Sequence, residues 1–84
     1  MSQVPPASFL NFLGGIGAQG LIHLGALPHP VTGERAVDQE LARYTVDLLG
    51  ILEEKSRGNR TPEEEKYLVG MVEDLRAKLA ALTA

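Results

Sequence analysis

From Met1 to Gly33 the chain has no Asp, Glu, Lys or Arg, and all nineteen of its charged side chains fall between Glu34 and Ala84. Within the charge-free third, Phe9 to Leu27 reads FLNFLGGIGAQGLIHLGAL, a segment apolar nearly all round. A helix of that kind has to be covered on most sides by protein or by lipid. The whole chain is only 84 residues, room for one domain that buries roughly 60–65 % of its unfolded surface. It is therefore short of material with which to cover such a helix.

Turn residues divide the sequence into three helical segments, an all-α three-helix protomer occupying residues 1–84 as a single domain. Ser8 is positioned to cap a first helix over about 8–27, with Pro5 and Pro6 just upstream. Pro28, Pro30 and Gly33 punctuate a loop over 28–37. A second helix runs over about 38–57, with Asp38 as N-cap and Gly58 available to close it. Its apolar stripe is Leu41, Tyr44, Leu48, Ile51 and Leu52, widened by Val46 and Leu49, and Arg43 stands four residues before Asp47 as a helical ion pair. Thr61, Pro62, Glu63 and Glu64 read as a capping box with proline at the first helical position, which opens a third helix over about 62–82. Leu68, Val72, Leu75, Leu79 and Leu82, spaced four, three, four and three, give that helix one apolar stripe. The short turn at Gly58-Asn59 makes the last two helices an antiparallel hairpin.

Gly14, Gly15, Gly17, Gly20 and Gly25 each cost a helix about 1 kcal/mol relative to alanine, a loss that close packing has to offset. Small residues let helix backbones approach, and a two-helix hairpin covers one side of the first helix. A second copy is then the simplest cover for the other side. The expected homo-oligomer interface is Phe9, Phe12, Leu13, Ile16, Gly17, Gly20 and Leu24. His23 and Tyr44 are expected as buried, hydrogen-bonded polar groups. Asn11, Gln19 and His23 interrupt the apolar run, and no Lys/Arg asymmetry flanks it, so a membrane span is disfavoured.

Catalytic and ligand-binding patterns are missing from the sequence. The only histidines, His23 and His29, are six apart, which is not a helical ligand pair, and no cysteine is present, so no metal site is expected. The glycines of the first helix are followed by no Lys-Ser/Thr and preceded by no strand, so they do not form a phosphate loop, and no cofactor is expected. With 8 basic and 11 acidic side chains the net charge is -3, and no nucleic acid partner is expected. The lack of cysteine fits a cytoplasmic location.

Ser8-Phe9, His23-Leu24-Gly25, the Pro28, Pro30 and Thr32-Gly33 loop, Asp38 and Leu41-Ala42-Arg43 occur in an order and spacing that continue through Asp47-Leu48-Leu49, Leu52-Glu53-Glu54-Lys55, Gly58-Asn59 and Thr61. In these features the chain resembles a bacterial family catalogued as domain of unknown function 1844. The resemblance implies a short, mainly helical bacterial protein and brings with it no catalytic residues. The function expected is a non-enzymatic, oligomeric helical module acting through protein contacts. Two alternatives stand beside it: a peripheral membrane protein using the apolar first helix, and a small enzyme with a site near His23, partnered by Tyr44 or Asp47.

Overall fold

The computed structural model describes residues 4–83 and consists of three helices, α1 (Phe9–His23), α2 (Gln39–Lys55) and α3 (Pro62–Thr83). Each helix starts at a side chain that satisfies backbone N–H groups left free by its first turn. Ser8 Oγ accepts from the Asn11 N–H at 3.0 Å, and Asn11 Nδ2 reaches back to donate to the Pro6 carbonyl at 2.7 Å. Asp38 Oδ1 accepts from the Leu41 N–H at 3.1 Å. At α3 the capping box is reciprocal: the Glu64 N–H donates to Thr61 Oγ1 at 3.1 Å, and the Thr61 N–H donates to Glu64 Oε1 at 2.8 Å.

The first helix runs unbroken through Gly14-Gly15 but stops at His23, four residues before the expected Leu27. Gly25 ends it. With φ at +76°, this residue lets the Ala26 N–H bond the Leu21 carbonyl at 2.9 Å and its own N–H bond the Ile22 carbonyl at 3.0 Å. Together these bonds close the last turn as a Schellman motif. The connection to α2 is consequently longer than the expected 28–37, and it is tied at its base. Leu24 and Val37 form an antiparallel bridge, and the Asp38 N–H donates to the His23 carbonyl at 2.7 Å. The second helix also ends earlier than the expected residue 57. Ser56 Oγ donates to the Leu52 carbonyl at 2.6 Å, and Gly58, at φ +83°, turns the chain toward α3.

Every helix packs on the other two. The buried core is Leu13, Leu24, Ala42, Val46, Leu49, Leu68, Val72 and Leu75, with Phe9, Ile16, Leu21, Leu52, Met71 and Leu79 around it. Small residues decide how closely α1 sits. A Cβ on Gly17 would lie 2.7 Å from Met71 Sδ, and one on Gly20 would lie 3.2 Å from both Leu75 Cδ1 and Thr45 Cγ2. The expected glycine-mediated crossing is therefore within the protomer. Leu13, Gly17, Gly20 and Leu24, assigned from sequence to an interface with a second copy, are buried against this chain's own α2 and α3. The physical reason is that α2 and α3 each cover a side of α1, where the sequence argument allowed the pair only one.

Arg60 staples the turn between α2 and α3. Its side chain is 6 % exposed; Nη1 donates to the Glu53 carbonyl at 3.1 Å, and Nε lies 3.0 Å from Glu65 Oε1. The Nε approach is an ion pair without hydrogen-bond alignment. A cation on the last carbonyls of a helix is favourable, and this one also links α2 to the first turn of α3. Arg60→Met preserves much of the apolar stem and removes these contacts. Urea unfolding should show a loss of about 1–2 kcal/mol; an unchanged midpoint would mean that the staple contributes nothing.

Candidate interaction surface

Leu41, Tyr44, Leu48 and Ile51 follow one another at intervals of three, four and three, which keeps them on one stripe of α2. From sequence this stripe should face the core. The structure turns it outward: Leu41 is 45 %, Tyr44 60 % and Ile51 53 % exposed, while Leu48 is half-buried. The core takes the neighbouring face, Ala42, Thr45, Val46 and Leu49. Size and polarity explain the choice. Thr45 Oγ1 donates to the Leu41 carbonyl at 2.9 Å, so its hydroxyl is satisfied within the helix, and its Cγ2 methyl lies where Gly20 leaves room. Ala42 and Thr45 therefore let α1 come close, which the bulkier stripe would prevent.

One edge of the stripe is acidic. Glu40, Asp47 and Glu54 are exposed and repeat every seven residues, so they form a row along the helix. Among the described residues the ion pairs are Arg60 with Glu65 and Lys78 with Asp74. The expected Arg43 to Asp47 pair is thus not formed, and all three carboxylates of the row are unpaired.

On α1 the arc that α2 and α3 leave uncovered carries no charge. Phe12 is 54 % exposed, Asn11, Gly15 and Gln19 are exposed, and a Cβ on Gly15 would meet nothing within 4 Å. Of the other interface residues expected on this helix, Phe9 and Ile16 are half-buried beside the core.

The histidines border a groove of about 390 Å³ between the end of α1 and the start of α2, which Leu41 at the beginning of the stripe also lines. His23, His29, Glu34 and Asp38 help to line it. His29 Nδ1 accepts from the Val31 N–H at 3.1 Å, which makes the ring a brace for its own loop. His23 is half-buried, and Tyr44, expected to be buried, is exposed. Tyr44 has moved out with the stripe that carries it. Neither Tyr44 nor Asp47 lines the groove, so the suggested pairing with His23 is not assembled there. Among the described residues no group of three or more His, Asp or Glu is gathered to hold a metal ion, and no helix is long and apolar enough to cross a membrane.

Sequence reasoning missed the outward turn of α2 and the Arg60 staple. The first had a signal, since Ala42 and Thr45 are the small residues a close crossing needs. The second had none, because its partners are set by the turn. A family model described as Domain of unknown function (DUF1844) matches residues 6–81. No curated protein and no solved structure matches the chain.

Proposed function

The chain belongs to the DUF1844 family, and because that description carries no activity we propose its role from its surface: a non-enzymatic helical interaction module that self-associates. The supporting observation is excess surface. The chain exposes 5899 Å² at 9.0 kDa, whereas a compact protein of that mass exposes roughly 4,900 Å². Part of that excess belongs to the extended residues 4–8 and the α1–α2 loop. The dimensions agree: 40 × 35 × 16 Å, with a radius of gyration of 13.5 Å against about 12 Å for a compact domain of this length. A standard interface needs about 800 Å² from each partner.

In this reading two copies meet on the uncharged arc of α1, around Phe12 and Gly15. No like charges oppose each other there, and the absent Gly15 side chain allows close approach. The hairpin of α2 and α3 is antiparallel and supports α1 from behind. The module works in the cytoplasm, a setting that suits a chain without cysteine. Light scattering at micromolar concentration should give at least a dimer. Phe12→Arg and Gly15→Leu should shift the protein toward monomer and abolish the concentration dependence of its melting temperature while the protomer stays folded, since Phe12 is more than half exposed and a side chain at Gly15 meets nothing within the protomer. A wild-type monomer would end this reading.

A further inference from the structure

We infer that the outward stripe of α2 receives an amphipathic helix of another protein, one whose own apolar stripe is bordered by lysine or arginine. Leu41, Tyr44, Leu48 and Ile51 supply the large side chains of a helix-to-helix seam, in which anchors recur at i, i+3 or i+4, and i+7. Leu41 to Ile51 extends about 15 Å at 1.5 Å per residue, so the seam takes about three turns of a partner. Glu40, Asp47 and Glu54 occupy the seven-residue border position that sets partner choice in paired helices. None of the three is paired within the chain.

That charge pattern selects the occupant. In an antiparallel pair of two copies, equivalent edges meet, and the row would face its own image, carboxylate against carboxylate. In a parallel pair the row would lie toward the uncharged α1 side of the other copy and gain no counter-charge. A membrane surface rich in anionic lipid would repel it. A basic border on a helical partner matches all three carboxylates. The cations near the stripe do not already fill this role. Arg43 lies behind the row and Lys55 at the far end of the stripe, both exposed and neither in an ion pair.

The test is a fluorescence anisotropy titration of the full chain with three labelled 21-residue helical peptides. One has a leucine stripe with lysine borders, the second has the same stripe with glutamate borders, and the third has lysine borders with the stripe leucines changed to serine. The first should bind at least about tenfold more tightly than either other peptide at physiological salt. Tyr44→Ser should weaken it by about tenfold, and the triple change Glu40→Lys, Asp47→Lys, Glu54→Lys should reverse the preference between the first two. Melting curves confirm that each variant is folded; the altered side chains are all exposed. The proposal fails if the three peptides bind alike, if none binds, or if the serine peptide matches the leucine one, which would be mere polyelectrolyte attraction. It also fails if Tyr44→Ser dissociates a wild-type oligomer that the first peptide cannot compete with, because a second copy then occupies the stripe. Phe12→Arg should bind the first peptide as wild type does, so loss of self-association on α1 leaves this result readable.

Discussion

Exchanging Gly20 for leucine should lower the unfolding free energy by about 2–3 kcal/mol, even though leucine is the better helix former by about 1 kcal/mol. The Cβ alone would stand 3.2 Å from Leu75 Cδ1 and from Thr45 Cγ2. Leu75 is fully buried and Thr45 is fixed by its bond to the Leu41 carbonyl, so neither has room to retreat. For 84 residues the total stability is about 4–12 kcal/mol, and a loss of that size removes a large part of it. Gly17→Leu should be milder. Its nearest neighbour is the end of the Met71 side chain, an unbranched group that can adopt another rotamer. Gly15→Leu should leave the stability of the protomer itself, compared at concentrations where all three variants are monomeric, unchanged or raised, because within the protomer the site is open. Urea unfolding of the three variants should give the damage order Gly20, Gly17, Gly15. Equal effects at Gly20 and Gly15 would mean that α1 does not rest on α2 and α3 through its glycine face.

The three N-caps were legible because a cap is local: Ser8, Asp38 and the Thr61 and Glu64 pair each act within a few residues of sequence. The α3 stripe was legible for a related reason. That helix has one strong apolar row, and the structure buries Leu68, Val72 and Leu75. The C-terminus of α1 was less so, since Gly25 is one of five glycines and only its backbone conformation sets it apart. The glycine face was placed on the correct helix, but its partner was not, because periodicity says which side of a helix is packed and not which chain packs it. On α2 the difficulty was different. Two faces compete, one bulky and regular, the other small and irregular, and hydrophobicity favours the bulky one. Close approach to a glycine-rich α1 favours the small one, and that contact exists only once the chain is folded. The interaction surface described above is therefore the part of the apolar pattern that core packing left over.

Leu49→Ala should cost about 2–5 kcal/mol, and Ile51→Ala less than about 1 kcal/mol, although both remove aliphatic carbons two residues apart on one helix. Leu49 is fully buried in the core and Ile51 is more than half exposed, so truncation opens a cavity at the first site and only trims the surface at the second. Thermal unfolding separates the two cases widely, since each kcal/mol moves the midpoint of so small a domain by about 4–8 °C. Binding should rank them the other way. At temperatures where both variants are folded, Ile51→Ala should weaken the lysine-bordered peptide, and Leu49→Ala should leave its affinity near that of wild type. The opposite pairing, a large stability loss at Ile51 and a small one at Leu49, would return the regular stripe of α2 to the core. It would also remove the surface on which the proposed partner helix rests.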